Sequence, residues 1–301
     1  MSTSDLIPVD VRARLKALRL QARRISGAQG IGQHQSRSRG AGLEFAQYRA
    51  YEPGDELRQI DWKLYARSDK FFVREAERDS PLVVWCLIDA TASMAQADAA
   101  KPEWTRLQAA KALTACVIEL ALKQGDRFGL IAVNEHGLTV VNAGSGTKHR
   151  DQCLLELHRL KAQGSWPGET QCRPIWERMN ANTLVLLLSD DYDEGCVSLA
   201  ERLAVARREV LSIQILTAEE RDFPFLGGHR FRDAETDTEL LTDAVASRTG
   251  FIEQFSAARK TLTSRFSSAG INHVEYILDQ PLDTPLRRFF LPRTSRQQER
   301  V

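Results

Sequence analysis

The sequence predicts an α/β domain built on a doubly wound, mostly parallel, Rossmann-like sheet, with an N-terminal aromatic-rich extension. Three observations lead there. Between residues 81 and 280, short apolar runs alternate with longer stretches whose apolar residues recur at helical spacing. The runs Leu82–Ile88 and Leu184–Leu188 are continuously apolar, as expected of strands covered on both faces. Both end abruptly in polar residues, Asp89 in one case and Ser189-Asp190-Asp191 in the other. In an open parallel sheet such carboxyl ends form the rim where ligands bind.

The chain divides by composition into four parts: 1–43, 44–80, 81–284 and 285–301. In the first, eight basic and no acidic residues lie between Val11 and Leu43. Val11, Leu15, Leu18 and Ala22 share one side of a predicted helix, and the Gly-, Ser- and Gln-rich stretch 26–42 reads as a loop. This is expected to be a solvated amphipathic helix and linker; an acidic protein surface or phosphate contact is the functional alternative.

In the second part, Phe45, Tyr48, Tyr51, Ile60, Trp62, Tyr65, Phe71 and Phe72 surround the turn Glu52-Pro53-Gly54-Asp55. Pro then Gly suits the middle of a type II turn, because Gly tolerates positive φ there. Strands near 44–51 and 70–77 with an irregular or helical piece near 57–66 are expected, packed on the main domain. Glu44, Arg49, Asp55, Arg58, Asp61 and Arg67 would hold that segment in place.

In the main domain, the strand Leu82–Ile88 precedes a helix over Arg106–Lys123, where Leu107, Ala110, Leu113, Val117 and Leu120 recur. Phe128–Val133 and Leu138–Asn142 flank Asn134-Glu135-His136-Gly137, a hairpin signal. Helices are predicted over Asp151–Lys161, Pro174–Met179, Val197–Arg207 and Asp243–Ser264, with strands at Leu184–Leu188, Val210–Leu216 and His273–Leu278. The stretch Phe231–Leu240 reads as a small surface hairpin. The basic C-terminal part, with five Arg against one Glu, should begin as a turn docked through Phe289-Phe290.

Composition narrows the function. Over 301 residues, 43% are hydrophobic and 27% charged, which excludes a collagen-like or wholly disordered chain. A net charge of +1 does not favour a bulk nucleic-acid or membrane binder. Cys86, Cys116, Cys153, Cys172 and Cys196 are isolated, with neither CxxC pairs nor zinc spacing, so packed reduced thiols are expected. No signal peptide is visible, and no apolar run approaches the ~20 residues of a membrane helix. A cytoplasmic protein is expected.

The candidate chemistry lies after the first buried strand, in Asp89-Ala90-Thr91-Ala92-Ser93. One carboxylate and two hydroxyls at alternate positions are hard oxygen donors, suited to Mg²⁺ or Mn²⁺ rather than zinc. The loop Gly164–Thr170 could lend Thr170, with Ser165 and Thr147 as rivals, and Asp190 could hold a metal-bound water. The structural alternative for Asp89 and Ser93 is capping of the following helix.

Asp89-x-Thr91-x-Ser93, Thr170 on a mid-chain loop and Asp190 after its strand resemble the metal-ion-dependent adhesion site (MIDAS) of von Willebrand factor A domains. The segment RGAGLEFAQYRAYEPGDELRQIDWKLYARSDKFFVREAERD, followed by a strand and LIDATASM, is similar to the bacterial family called domain of unknown function 58. The resemblance runs from about Arg39 to Leu278. Thr91 stands where the family's first site serine is usual, and the membrane-spanning helices of many relatives are not seen. The resemblance implies a non-enzymatic, metal-dependent binding module whose ion accepts an acidic side chain from a partner protein. It also implies a MoxR-type AAA+ ATPase, or that enzyme's client, as the partner in chaperone-like assembly or maturation.

Other functions have less support in the residues. A Mg²⁺-dependent phosphatase would also place Asp after a first parallel strand, but haloacid-dehalogenase chemistry needs a second Asp two residues on, where this chain has Thr91. Gly144-Ser145-Gly146-Thr147-Lys148 lacks the GxxxxGK[ST] order that wraps phosphates, and no GxSxG elbow occurs. A nucleic-acid role would rest on the basic N-terminus alone and would show a steep salt dependence.

Overall fold

The computed structural model describes residues 6–22, 45–51, 60–76, 81–181 and 183–291. They fall into two compact units, one spanning 30–81 and one formed by the rest of the chain. The first helix, α1 (Val9–Leu15), belongs to the larger unit. In the smaller, β1 (Phe45–Ala50) pairs antiparallel with β2 (Phe72–Ala76), and α2 (Trp62–Ser68) lies between them in sequence. Asp61 starts α2 by accepting from the amides of Lys63 and Leu64 at 2.9 and 3.0 Å, an N-cap that stops the helix from reaching back to residue 57. Tyr65 stacks on Phe71 at a centroid distance of 4.4 Å. Arg67 is exposed, whereas Glu44, Asp55, Arg58 and the Arg49 side chain lie outside the described residues.

The larger unit continues with β3 (Val83–Asp89), a 3-10 turn (Ala92–Ala95), α3 (Arg106–Gln124), β4 (Arg127–Asn134), β5 (Gly137–Gly144) and α4 (Thr147–Arg159). Then come α5 (Glu169–Arg178), β6 (Leu184–Ser189), α6 (Glu194–Val205), β7 (Glu209–Leu216) and α7 (Ala218–Asp222). The hairpin β8 (Gly228–Arg232) and β9 (Glu239–Asp243), α8 (Ala244–Ser268), β10 (Asn272–Ile277) and α9 (Thr284–Phe290) complete it. The main sheet has the order β10-β7-β6-β3-β4-β5, parallel throughout except for the edge pair β4–β5. This is the doubly wound α/β architecture expected from the sequence.

Strand periodicity explains the two layers. Val84, Cys86 and Ile88 join Leu184, Leu186 and Leu188 in a core shared with α3, while Trp85, Leu87, Val185 and Leu187 point to the other face, toward α6 and Phe266 of α8. Because both faces are covered, every residue of β6 is buried. At the edge pair, the register of β4 shifts beside Gly129. A Cβ there would sit 2.8 Å from the Val141 carbonyl oxygen and 2.9 Å from the Ala143 nitrogen, so the close approach needs glycine. All five cysteines are buried and free.

Three local expectations change. The N-terminal helix is not solvated: Ile7, Val11, Leu15, Leu18 and Leu20 are buried in the core beside α3. Arg14 bonds Asp283 at 2.8 Å, and the Leu20 backbone exchanges two hydrogen bonds with the Gln124 amide. Lys16 and Arg19 are exposed, whereas Arg12 buries two guanidinium nitrogens and Arg14 reaches buried Asp283, so a division from the main domain at residue 43 does not hold for residues 6–22. Leu15→Ala is accordingly expected to cost about 2–5 kcal/mol in urea unfolding, whereas a solvated helix would lose almost nothing.

The second change concerns α5, which begins at Glu169 and carries Pro174 inside it. Burial of Cys172 and Ile175, one turn apart, holds the helix through the proline. The third is α9, a helix rather than a turn, with Phe289 and Phe290 in the core. The stretch 26–42 and residues 292–301 lie outside the described residues.

Candidate functional site

β3 and β6 are adjacent central strands, so their carboxyl ends bring Asp89, Ser189, Asp190 and Asp191 together. The backbone after β3 is pinned from two sides. The Ala90 amide donates to the Val133 carbonyl at 2.8 Å, and the Ala92 amide donates to Gly164 at 2.7 Å. With the loop held, Asp89 Oδ1 accepts from the Thr91 amide at 3.0 Å and from Thr91 Oγ1 at 2.7 Å. Thr91 Oγ1 stands 3.1 Å from Ser93 Oγ. Neither Asp89 nor Ser93 caps the next long helix, because Thr105 caps α3 by accepting from the Gln108 amide.

These separations carry chemical information. Two adjacent oxygens bound to one Mg²⁺ at 2.0–2.1 Å stand about 3 Å apart in an octahedron. The Asp89–Thr91 and Thr91–Ser93 distances are compatible with that size, and they are also those of ordinary O–H···O hydrogen bonds. Among the described residues no group of three or more His, Cys, Asp or Glu side chains is spaced to hold a metal. The donor set therefore fits a hard cation held by one carboxylate, two hydroxyls and water, and does not fit a nitrogen–sulfur cage.

The other half of the site is a network of charge. Asp89 Oδ2 accepts from Ser189 Oγ at 2.7 Å, and that hydroxyl accepts from the Asp191 amide at 2.9 Å. Asp191 takes a left-handed φ of 57° and accepts from Ser212 through Oδ2, while its buried Oδ1 has no hydrogen-bond partner among the described residues. Asp190 Oδ2 receives Arg106 Nη1 at 2.6 Å; the same nitrogen also reaches the Ser93 carbonyl at 3.2 Å. Arg106 Nη2 bonds Glu220, which also accepts from the Tyr192 hydroxyl at 2.6 Å. The guanidinium lies over the Tyr192 ring, 5.2 Å from its centroid.

Three buried carboxyls against one buried guanidinium shift the local acidities. Burial, reinforced by Asp190, pushes Asp89 up to about 7 against the hydrogen bonds of Ser189 and Thr91. Burial and Asp190 likewise raise Asp191 to about 8. Burial alone would raise Glu220, but Arg106 beside it holds that carboxyl below its ordinary value. Without a cation, the site resists full ionisation.

Of the residues singled out in the sequence, Asp89, Thr91, Ser93 and Asp190 share this site. Thr170 does not join them by hydrogen bonds among the described residues. It is exposed in the first turn of α5 rather than on a loop, a consequence of the helix extending back past Pro174. Thr147 and Ser165 are exposed too. Sequence reasoning missed Arg106, Glu220 and Tyr192, which look like ordinary helix-end residues until the fold brings 106, 190 and 220 together. Asp191 stands at the same rim, and its place beside Asp190 in the sequence does not mark its burial.

A model of the family described as "Protein of unknown function DUF58" matches residues 47–261. Uncharacterized protein Rv1480 of Mycobacterium tuberculosis and Uncharacterized protein Mb1516 of Mycobacterium bovis are each 27% identical over 243 residues. Each alignment covers 78% of this chain and 74% of the relative. Among solved structures, the conserved hypothetical protein BatB from Bacteroides thetaiotaomicron is similar at a TM-score of 0.42 and 12% identity, over 73% of this chain and 98% of that one. The VWA domain of SpRpn10 is similar at a TM-score of 0.40 and 13% identity, over 69% and 95%. No helix among the described residues is long and apolar enough to cross a membrane.

Proposed function

The chain belongs to the family described as protein of unknown function DUF58, and its six-stranded, mostly parallel sheet has the α/β architecture that the von Willebrand factor A resemblance implies; from that premise we propose that it is a divalent-metal-dependent protein-binding module rather than an enzyme. One observation supports the reading: a carboxylate and two hydroxyls, from Asp89, Thr91 and Ser93, are gathered at the carboxyl rim of the central strands, beside carboxyls that burial keeps from ionising fully. A bound Mg²⁺ or Mn²⁺ would supply a Lewis-acidic position for an acidic side chain of a partner. Asp89, Thr91 and Ser93 would hold it directly.

Asp190, tied to Arg106, would orient a water rather than neutralise the ion. That leaves Asp89 as the main source of negative charge, so the cation would keep affinity for an outside carboxylate. Thr91, hydrogen-bonded to Asp89, occupies the position where a phosphatase of this layout needs its second acid. The family resemblance supports a MoxR-type AAA+ ATPase, or its client, as the partner.

The test is titration calorimetry of Mg²⁺ and Mn²⁺ into the full chain and into Asp89→Ala. Saturable binding is expected in the first and none in the second, with both folded by circular dichroism. Equal affinity in the two would remove the site assignment. Co-precipitation with a purified MoxR-type ATPase is expected to require Mg²⁺ and to be lost with chelator; retention in chelator would refute metal dependence.

A further inference from the structure

A pocket of about 310 Å³ opens next to the loop that carries Thr91 and Ser93. One wall is polar, with Gln96 and Ala97, three and four residues beyond Ser93, and Glu219 and Glu220 of α7. The other is aromatic, built from Phe223, Phe225, Phe231 and Phe251.

Phe223 organises the aromatic wall. It ends α7 at a left-handed φ of 45°, a conformation that a Cβ disfavours and that glycine ordinarily fills. Its ring is buried all the same, with centroids 5.1 Å from Phe225, 5.6 Å from Phe231 and 4.6 Å from Phe251. The end of α7, the β8–β9 hairpin and α8 thus converge on one ring. Phe225, Phe231 and Phe251 are only half-buried, and Leu240, paired with Phe231 across the hairpin, is exposed. Aromatic rings gathered around an open cavity at the surface mark an interaction site more than a finished core.

The polar wall is fixed by a reciprocal staple. Glu219 Oε1 accepts from the Ala99 amide at 2.8 Å, and the Glu219 amide donates to Asp98 Oδ1 at 2.9 Å. Glu220 has its charge met by Arg106, and Tyr192 and Thr217 donate to its oxygens as well. Glu219 differs. Among the described residues its carboxylate makes no salt bridge, and Oε2 accepts no hydrogen bond. No Lys or Arg lines the pocket, and Arg221, next along α7, pairs with Asp222 and Asp279.

Ring faces, a carboxylate without a counter-charge and no resident cation together complement one kind of side chain. The guanidinium of arginine is planar, lies on ring faces and donates to a carboxylate, while its methylene stem is apolar. An aliphatic side chain would cover Glu219 without pairing it, and an acidic one would meet like charge. We propose that this pocket receives an arginine side chain of the partner protein, presented next to the acid that the ion would take. The inference rests on the protein-binding reading above but not on the ion, since none of the proposed metal ligands lines the pocket.

Ligand-observed NMR on the full chain tests it with Nα-acetyl-arginine methylamide and with the citrulline analogue, which keeps the shape and removes the charge. The arginine amide is expected to bind saturably, with a Kd on the order of 1 mM for so small a ligand. The citrulline amide should bind about fivefold more weakly, the scale of a half-exposed ion pair. Glu219→Gln keeps an acceptor for the Ala99 amide and should bring arginine down to the citrulline level. Phe251→Leu, which keeps an apolar wall but no ring face, should weaken arginine about threefold. Binding should be the same in Mg²⁺ and in chelator, so failure of the metal site and failure of this pocket are seen separately. No saturable arginine binding, equal binding of citrulline, or wild-type affinity in a folded Glu219→Gln would each overturn the proposal.

Discussion

Arg106→Met is expected to destabilise the protein by about 3–5 kcal/mol, the cost of leaving buried carboxylates without their cation. Arg106 is 0% exposed, and its guanidinium joins Asp190, Glu220 and the Ser93 carbonyl. Methionine fills much of the same volume, so the loss would report charge rather than a cavity. Urea unfolding at pH 7 measures it. Arg106→Lys should recover little, because a point-like ammonium cannot reach Asp190 on one side and Glu220 on the other. Adding Glu220→Gln to Arg106→Met should return part of the stability. A double-mutant cycle with no coupling would mean that the two side chains do not act as a pair.

The part of the site that was legible in the sequence is the part written in one dimension. Asp89, Thr91 and Ser93 are two residues apart and follow a strand whose burial on both faces its apolar run announces. Asp190 was legible for the same reason, since β6 carries the same signature. Arg106 was not legible. It reaches Asp190 across 84 positions, and nothing in Arg106-Leu107 at the start of a helix marks a fully buried charge. The expected placement of Thr170 on a loop differs from the structure through a local rule. Proline usually marks a helix start, and here packing of Cys172 and Ile175 carried α5 one turn further back. The N-terminal strap differs in the opposite sense: its Val11–Leu15–Leu18 stripe is buried by the core, while a run of basic residues is equally compatible with a solvated helix.

The metal-free protein is expected to be more stable at pH 5 than at pH 8, by roughly 5–10 °C in Tm. Asp89 and Asp191 stand at about 7 and about 8 in the folded state, above the ordinary 3.8 of an unfolded aspartate. Between pH 4 and 8 the folded chain therefore holds protons that the unfolded chain has released, and stability falls as pH rises through that window. A divalent cation replaces those protons, so Mg²⁺ should raise Tm at pH 8 and have little effect at pH 5. Asp89→Asn separates a ligand from a structural acceptor. The amide can still accept from Thr91 through its oxygen and donate to Ser189 through its nitrogen. It should therefore flatten the pH profile, raise metal-free Tm at pH 8 and abolish the response to Mg²⁺. A purely structural Asp89 predicts the reverse pair, with Tm lowered at pH 8 and any Mg²⁺ response intact. Thermal melts at two pH values, with and without Mg²⁺, decide between them, because stability and metal response move in opposite directions only if the carboxylate is there for a cation.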